Sequence, residues 1–308
     1  MLAIDLGSNS FRVLEYDCKS QRQIAQFEKV VKTADGLAEH GFISDDAVAR
    51  VIDAINEAKK MIDFSTLHIK AVTTEALRRA SNADAVLSKI KKETGVDFHI
   101  ISGEEEGRLT LLAVRNRLEK LHFASQTFVL IDIGGGSTEL IFHYPEETFS
   151  KSFPVGIVTI AQSYENLDSI EEALPREMLD MQMFCAEVYA TKGKPASFVA
   201  TAGTPTTVAA MKLGFNYESY DASKVNGTLL KKEELDFYLK KLLSMPFEAR
   251  EIAVGTGRSD LIAAGILIYK QLYTLLEFTE GVVVDDGLRE GVALDSCNNL
   301  FLGTRSLH

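Results

Sequence analysis

The stretch that decides the fold is Ile131–Leu140, IDIGGGSTEL, and it matches in pattern an earlier stretch, Ala3–Phe11, AIDLGSNSF. Each stretch has an aspartate near the end of an apolar run, then an aliphatic residue, then glycine and small polar residues. A new apolar run follows in both. Asp5 and Asp132 are separated by about one domain length. The repeat therefore predicts two copies of one strand–loop–strand unit in a two-domain chain.

The composition is that of a folded protein large enough for two domains. The chain has 308 residues, of which 46% are hydrophobic and 25% charged, values typical of globular proteins. Its formal net charge of -11 argues against a basic surface for DNA or RNA, so we predict no nucleic-acid partner. An anionic ligand would have to be bound by local backbone amides, a few arginines and a metal ion.

The termini and the cysteines predict a cytoplasmic protein. Residues 1–5 contain no basic and apolar leader, and the longest apolar run, Leu261–Tyr269, is much shorter than a membrane span. We therefore predict no membrane partner. Cys18, Cys185 and Cys297 are far apart and form no CxxC pair. That spacing favours three inert thiols over a disulfide or a metal site.

Strand and helix periods alternate along the whole chain, which predicts an α/β architecture. Three strands open the chain, and a second set of three strands begins at Phe128. The most plausible boundary is Leu118–Gln126, so we predict domains over residues 1–123 and 124–308. A helix over about residues 286–308 is a candidate to pack back on the first domain.

Both repeated loops have the composition of a phosphate-binding turn. Glycine allows the backbone to approach an anion closely, and successive amides and hydroxyls can point into one concavity. An ordinary polar hairpin is the alternative for the first loop, whereas three successive glycines in the second loop exceed what a simple turn needs. The predicted phosphate-binding residues of the two loops are Gly7, Ser8, Asn9, Ser10, Gly134, Gly135, Gly136 and Ser137.

Carboxylates next to these loops predict a divalent cation, Mg²⁺ or a similar ion, that bridges phosphate oxygens. Asp5 cannot bind phosphate directly, but it can hold a hydrated cation. Glu139 fits either a metal- or water-positioning role or an ordinary surface position on the strand. We therefore predict a metal site without fixing its full set of ligands.

An acidic run, Glu104–Glu106, begins a predicted helix. Acidic residues at that position complement the helix dipole, and this is the simplest explanation for them. However, Glu105 and Glu106 point in different directions around a helix, so at least one of them can face a cleft. A carboxylate there can accept a proton from water that attacks phosphorus.

Two further stretches suit anion binding. Arg78 follows a predicted strand, and its planar guanidinium suits a bidentate contact with phosphate. Solvated helix arginines are the alternative, which is favoured for Arg79. The turn Thr201–Thr207 leads from a strand into a helix, with Gly203 and Thr204 as anion contacts or simply as the start of a capped helix.

Several common catalytic motifs are absent from the sequence. There is no GxxxxGK[ST] phosphate loop, no HExxH zinc site and no GxSxG nucleophile elbow. The six histidines are scattered. A hydrolase built on histidine-bound metal is therefore not predicted.

In order along the chain, these motifs resemble those of the exopolyphosphatase/guanosine pentaphosphate phosphohydrolase family, a branch of the actin, Hsp70 and sugar-kinase superfamily. The resemblance runs nearly end to end, through both loops, Leu77–Arg78, Ile101–Arg108, Val155–Gly156, Ala202–Thr204 and Asp286–Gly291. It implies an α/β fold of two actin-like (ribonuclease H-like) domains, with the active site in the cleft between them.

The resemblance also implies roles for individual residues. The family's catalytic base falls on Glu106, and Asp132 aligns with a catalytic carboxylate that positions metal or water. Arg78 aligns with a phosphate contact, while Gly107 stands where the family often has alanine. The implied reaction is Mg²⁺-assisted hydrolysis of the terminal phosphoanhydride of polyphosphate or guanosine pentaphosphate.

The resemblance leaves the substrate open. The chain resembles short members without a C-terminal helical domain, and together with its acidic balance this favours a short nucleotide slightly over long polyphosphate. A homodimer is a family-based expectation. Two other functions stay open, an ATP-dependent kinase or ATPase of the same superfamily and a non-catalytic sensor that binds a phosphorylated nucleotide.

Overall fold

The structure, a computed structural model, describes residues 1–65 and 67–305. The chain divides into two compact units. One consists of Met1–Val114 together with Asp286–His308, and the other is Arg115–Asp285. The first unit is therefore discontinuous in sequence, and the second is inserted into it.

The division between the units lies inside a helix. Sequence analysis placed it at residue 123, whereas it falls after Val114, within the helix Gly103–Lys120. This helix continues through the start of the expected linker at Leu118–Gln126, so no break in secondary structure marks the division.

The first unit contains a five-stranded mixed sheet. Its strands carry the apolar runs that the sequence shows near Ala3 and Ala71, and its helices follow those strands. Up to residue 120 the elements are β1 (Leu2–Leu6), β2 (Ser10–Asp17), β3 (Arg22–Val30), α1 (Leu37–His40), α2 (Asp45–Met61), β4 (Ile69–Thr73), α3 (Glu75–Arg79), α4 (Ala83–Thr94), β5 (Phe98–Ile100) and α5 (Gly103–Lys120).

The strand order in this sheet is β3-β2-β1-β4-β5. β1 pairs antiparallel with β2 and parallel with β4, and β4 pairs parallel with β5. β1 is buried along its whole length, as expected of an apolar strand at the centre of a sheet. Because β1, β4 and β5 run in the same direction, their carboxyl ends lie at one edge of the sheet.

The second unit contains a six-stranded mixed sheet. Its helices include a long buried one that carries the apolar run near Ile266. The elements are β6 (Phe128–Ile133), β7 (Thr138–His143), β8 (Thr148–Phe153), α6 (Ile157–Ser163), α7 (Leu167–Glu177), α8 (Leu179–Lys192), β9 (Ser197–Thr201), α9 (Gly203–Leu213), α10 (Ala222–Val225), β10 (Thr228–Lys231), α11 (Lys232–Leu243), α12 (Phe247–Val254), α13 (Ser259–Leu275) and β11 (Glu280–Val283).

The second sheet repeats the first. Its order is β10-β11-β9-β6-β7-β8. β6 pairs antiparallel with β7 and parallel with β9, which in turn pairs parallel with β11. Strands β6, β7, β8, β9 and β11 thus occupy the places of β1 to β5, and β10 extends the edge. The prediction of two copies of one structural unit is confirmed.

One helix of the second unit, α13, is buried over most of its length, and this accounts for the longest apolar run in the sequence. Across the described ranges, no helix by itself is long and apolar enough to cross a membrane. The pair α12 and α13, bent by 66°, passes that test only when the two are taken together.

The last helix, α14 (Leu288–Arg305), returns to the first unit and packs on β1, β2 and β4. Its buried residues Val292 and Ala293 belong to the apolar cluster on that sheet. Gly291 allows the helix to approach α5 closely, because a Cβ at this position would stand 2.0 Å from the carbonyl oxygen of Leu109.

A disulfide joins α14 to the end of β2. Cys18 and Cys297 are bonded, with their Cα atoms 5.4 Å apart. The prediction of three inert thiols is therefore wrong for this pair, because the cysteines are separated by 279 positions in the sequence and come together only in the fold. Cys185 is a buried free thiol, and burial raises its pKa to about 11.

Candidate functional site

The first loop, Gly7–Ser10, joins β1 to β2. A hydrogen bond of 3.0 Å from its first amide to its last carbonyl closes the hairpin. Backbone amides within residues 31–34 donate to the carbonyls of Ser8 and Asn9 at 2.9 Å. Among the described residues, the backbone amides of Ser8 and Asn9 donate no hydrogen bond to a protein acceptor. Because the carbonyls face the protein, these amides are available to an anion.

The second loop, Gly134–Ser137, joins β6 to β7 in the same way. Its first amide donates to its last carbonyl at 2.8 Å. Amides of residues 157–159 hold the carbonyls of Gly134 and Gly135, at 3.0 Å for the former and 2.8 and 3.4 Å for the latter. The amides of Gly135 and Gly136 find no acceptor among the residues described. The two loops therefore share one backbone arrangement suited to phosphate oxygens.

Gly156 packs directly against the backbone of the second loop. A Cβ at this position would stand 2.4 Å from the carbonyl oxygen of Gly135 and 2.6 Å from the carbonyl carbon of Gly136. Both neighbours are backbone atoms, so no side-chain movement can relieve the contact. Glycine is therefore required here by close approach rather than by an unusual backbone angle.

Strand register places different charges beside the two loops. Asp5 faces Arg12 across β1 and β2, whereas Asp132 faces Glu139 across β6 and β7. Arg12 also pairs with Glu28 of β3, at 3.5 Å from Nε to Oε1. Directly opposed residues project from the same face of a sheet. The first loop thus adjoins a carboxylate and a guanidinium, and the second adjoins two carboxylates.

Glu139 is buried, at 1% exposure. Its Oε1 accepts hydrogen bonds from Ser137 Oγ at 2.8 Å and from Ser152 Oγ at 2.7 Å. A buried carboxylate needs such donors to offset the loss of water. The burial excludes an ordinary surface position for Glu139, and Ser137 links this carboxylate directly to the second loop.

Glu106 lies in the first turn of α5 and is buried. Arg78 donates from Nη1 to Glu106 Oε2 at 2.9 Å and to the carbonyl of Ile101 at 2.8 Å. Its Nε and Nη2 donate to Glu75 Oε2 at 3.1 and 3.0 Å. Burial lowers the pKa of Arg78, but Glu106 and Glu75 outweigh this effect and leave that pKa raised. Arg78 therefore joins a buried carboxylate, Glu106, to a half-buried one, Glu75.

Glu105 has a different environment from its neighbour Glu106. It forms two hydrogen bonds with Arg108, at 2.7 and 2.8 Å, and its side chain is 40% exposed. The hydrogen bond from Arg108 lowers the pKa of Glu105, against a smaller opposing effect of burial. Of the two glutamates, Glu106 is the one held in the interior.

The turn between β9 and α9 contains a strained residue. Ala202 has φ +74°, a backbone region that favours glycine and costs other residues about 1–3 kcal/mol. The Arg258 guanidinium lies against Gly203, where a Cβ would stand 2.6 Å from Nη2. Thr204 is fully buried against Gly265, where a Cβ would be 2.1 Å from the threonine Oγ1. Because β6 and β9 are parallel, this turn and the second loop lie at one edge of the sheet.

The predicted site residues fall into two groups, one in each unit. Sequence reasoning did not assign roles to four residues that contact this set: Glu75, Arg12, Ser152 and Arg258. The available signals were the i,i+3 spacing of Glu75 and Arg78 and, for Arg12, the register of the hairpin. The first unit holds Asp5, Gly7, Ser8, Asn9, Ser10, Arg78 and Glu106, and the second holds Asp132, Gly134, Gly135, Gly136, Ser137, Glu139, Gly203 and Thr204.

The carboxylates beside the two loops are the candidate ligands of a divalent cation. In the part of the chain that the structure describes, no three His, Cys, Asp or Glu side chains form a metal-binding group. Mg²⁺ is commonly held by one or two carboxylates, with water and substrate phosphate completing its shell. The opposed pair Asp132 and Glu139 fits that requirement. Asp5 fits less well, because Arg12 stands opposite it.

The fold and the loops together define the class of protein. Each unit has a mixed sheet in which an antiparallel hairpin carries a glycine-containing loop, so the chain has a two-domain α/β fold. The model of the Ppx/GppA phosphatase family matches residues 15–300. The chain belongs to that family.

Individual relatives agree with this assignment. Exopolyphosphatase 1 of Mycobacterium leprae is 27% identical over 98% of this chain and 90% of its own length. Guanosine-5'-triphosphate,3'-diphosphate pyrophosphatase of Vibrio vulnificus is 27% identical over 97% of this chain but 59% of its own length. A crystal structure of the Aquifex aeolicus member of the Ppx/GppA family is 29% identical, covers 97% of both chains and has a TM-score of 0.72.

Proposed function

We propose that this protein is a phosphohydrolase that releases the terminal phosphate of polyphosphate or of guanosine pentaphosphate by attack of water. One observation in the first unit carries the proposal. The parallel strands β1, β4 and β5 end at the same edge of the sheet, and they are followed there by the first loop, Arg78 and Glu106. A phosphate-binding backbone and a buried carboxylate thus belong to one edge, where α/β proteins commonly bind ligands.

Glu106 is the proposed base. Water attacks the terminal phosphorus, a new P–O bond forms, and the anhydride P–O bond breaks. Glu106 accepts the proton of the attacking water, and the shortened phosphate chain leaves with the electrons of the broken bond. Arg78, hydrogen-bonded to Glu106 at 2.9 Å, holds the carboxylate in a fixed position for this transfer.

The two loops are the proposed phosphate contacts. Their amides, that of Ser137 included, together with the hydroxyls of Ser8 and Ser10, would bind oxygens of the phosphate chain and stabilise the charge that develops as the bond breaks. Gly203 and Thr204 are proposed as a further contact in the second unit. The shared hairpin geometry of the loops supports this role.

Asp132 and Glu139 are the proposed ligands of Mg²⁺ or a similar divalent cation. When bound, such a cation supplies positive charge that neutralises phosphate oxygens. Asp132 is also kept as a proposed water-positioning carboxylate. Asp5 is the weaker candidate for the metal, because its opposed neighbour Arg12 already supplies a positive charge on the same face.

The choice of substrate rests on the relatives. The mycobacterial relative is named an exopolyphosphatase and the Vibrio relative is named for the nucleotide, and each is 27% identical to this chain. The relatives therefore support both compounds as substrates to assay. The acidic balance of the chain, at a net charge of -11, supports the shorter nucleotide, so both belong in one experiment.

The test is the initial rate of phosphate release from polyphosphate and from guanosine pentaphosphate, with Mg²⁺ and after its removal by EDTA. We expect release from at least one of them without a phosphate acceptor, and restoration of the rate when Mg²⁺ is returned. ATP-dependent transfer of phosphate to an acceptor would instead identify a kinase. Tight binding of guanosine pentaphosphate without turnover would identify a sensor. Either result would overturn the proposal.

A further inference from the structure

Glu75, the first residue of α3, is joined to Glu106 through Arg78. Glu75 Oε2 accepts hydrogen bonds from Nε and Nη2 of Arg78 at 3.1 and 3.0 Å. Nη1 of the same guanidinium donates to Glu106 Oε2 at 2.9 Å and to the carbonyl of Ile101 at 2.8 Å. Both edges of this planar group are therefore engaged, and a single orientation satisfies all of these bonds.

The three charged side chains are shielded from water. The side chains of Glu75, Arg78 and Glu106 are 14%, 18% and 10% exposed. Charged hydrogen bonds in such surroundings are stronger than in water, and an unpaired charge there is costly. Arg79 also faces Glu75, but its Nε lies 3.9 Å from Glu75 Oε1 and its side chain is 42% exposed. Glu75 is thus chiefly a partner of Arg78.

The connection spans two neighbouring strand ends. Glu75 and Arg78 follow β4, whereas Glu106 follows β5, and these strands pair in parallel. The amide of Ile101 also donates to the carbonyl of Thr73 at 3.0 Å. Arg78 therefore reaches from α3 to the start of α5, and Glu75 binds the guanidinium on the α3 side.

We propose that Glu75 is a positioning residue for the hydrolysis, acting through Arg78 on Glu106, an inference that rests on the proposed role of Glu106 as the base. Glu75 keeps the guanidinium turned so that Nη1 meets Glu106 Oε2. It also shares the positive charge of Arg78 between two carboxylates. Without Glu75, Arg78 is free to turn toward another anion, substrate phosphate included, and Glu106 loses its fixed orientation.

A stability role alone is the competing explanation. An acidic residue at the start of a helix is favoured by the helix dipole, and Glu75 with Arg78 is also an i,i+3 pair. Such a role would change the midpoint of thermal unfolding but not kcat. The two explanations therefore differ in what they predict for the catalytic rate of a folded variant.

The test compares Glu75→Ala and Glu75→Gln with the wild type, using whichever of polyphosphate and guanosine pentaphosphate the wild type hydrolyses. We expect Glu75→Ala to lower kcat by about 10- to 100-fold, as small displacements of a catalytic group can, with KM changed about threefold or less. Glu75→Gln should lose less, because its amide oxygen still accepts from Arg78. In a Glu106→Gln background, Glu75→Ala should have almost no further effect on kcat.

Glu105→Ala is the matched control. It removes another glutamate that pairs with an arginine three residues later at the start of a helix, yet Glu105 pairs with Arg108 and not with Arg78. We expect its kcat to stay close to that of the wild type. Circular dichroism and the thermal midpoint are measured for each variant, so that a loss of fold is separated from a loss of rate.

Three outcomes would overturn the proposal. A folded Glu75→Ala variant with wild-type kcat would assign Glu75 to stability alone, and if that variant does not fold, a wild-type kcat in Glu75→Leu, which also removes the acceptor for Arg78, decides in the same way. A rise in KM with unchanged kcat in Glu75→Ala would make Arg78 a substrate contact without a role in positioning Glu106. A wild type that releases no phosphate from either substrate would instead contradict the proposed function, and Glu75 would then have no hydrolysis to serve.

Discussion

Asp132 and Glu139 lie directly opposite each other on the paired strands β6 and β7. The equivalent positions of the first unit hold Asp5 and Arg12. The two hairpins have the same loop length and the same closing hydrogen bond, so the difference between them is one of charge. The same backbone thus carries two facing carboxylates in one unit, the pair we propose for a cation, and a carboxylate faced by a guanidinium in the other.

Binding of the metal should depend on Asp132 and Glu139, the opposed carboxylates of the second unit. We expect Glu139→Gln to weaken binding of Mn²⁺, used as a probe for Mg²⁺, by about 10- to 100-fold, because a carboxylate at or beside a metal has effects of that size. The measurement is electron paramagnetic resonance of free Mn²⁺ during titration. Asp5→Asn is the control, and it should bind the ion nearly as well as the wild type. A larger loss of Mn²⁺ affinity in Asp5→Asn than in Glu139→Gln would assign the metal to the first unit instead.

Replacement of the proposed base should abolish most turnover. Glu106→Gln keeps the shape of the side chain and an oxygen that can accept from Arg78, but it cannot take a proton from water. We expect kcat to fall by about 100- to 10,000-fold with little change in the thermal midpoint. Initial rates of phosphate release measure the effect, and Glu105→Gln serves as the control. Wild-type turnover in Glu106→Gln would assign the base to another residue.

An added methyl group at Gly156 should displace the second loop. Gly156→Ala places a Cβ about where the backbone of Gly135 already lies, at 2.4 Å from its oxygen. We expect a loss of about 1–3 kcal/mol in the free energy of unfolding from overpacking, and a large fall in kcat/KM. Gly95→Ala, whose Cβ meets nothing within 4 Å but whose φ is +72°, controls for stability. It should unfold more easily and yet keep its activity.

The strain at Ala202 should be removable. Ala202→Gly makes φ +74° an ordinary conformation, so we expect the free energy of unfolding to rise by about 1 kcal/mol. Urea denaturation measures the change. Ala200→Gly in the regular part of β9 is the control, and there the same change should destabilise the protein. If both variants were destabilised alike, the conformation at Ala202 would carry no strain.

Titration of free thiols should reveal the disulfide between Cys18 and Cys297. We expect one reactive thiol, Cys185, when the protein is denatured without reductant, and all three cysteines after reduction. Cys18→Ser should lower the free energy of unfolding by about 2–5 kcal/mol, and reductant should destabilise the wild type but not this variant. Three reactive thiols without reduction would show that Cys18 and Cys297 are not bonded.

Local pattern was enough to predict the repeated hairpins and several helices. The bounds of β1 and α13 follow directly from an apolar run and from a helical stripe, and these signals do not depend on distant residues. By contrast, the strands β10 and β11 were not predicted. Each has only four residues, and each is a strand because of the neighbour it pairs with. Helices α7 and α8 are separated only by Met178, and Pro175 lies in the last turn of α7.

The candidate site also combines features that depend on local sequence with features that depend on distant residues. Loop composition predicts which backbone can bind phosphate, since glycine content is a local property. Which charge lies beside each loop depends on pairing, as the contrast between Arg12 and Glu139 illustrates. The bond between Arg78 and Glu106 joins residues 28 positions apart, so spacing alone could not reveal it. Whether the predicted site residues act as proposed stays a prediction.

The return of α14 to the first unit has a consequence for synthesis on the ribosome. A chain emerges from its amino terminus, and domains generally fold as units during that process. Residues 115–285 are contiguous, so the second unit can complete its sheet as soon as β11 has emerged. The first unit has made all five strands by then, yet the apolar face of β1 stays uncovered until residues 288–305 follow. The half of the protein that is translated first is therefore expected to be the half that finishes folding last.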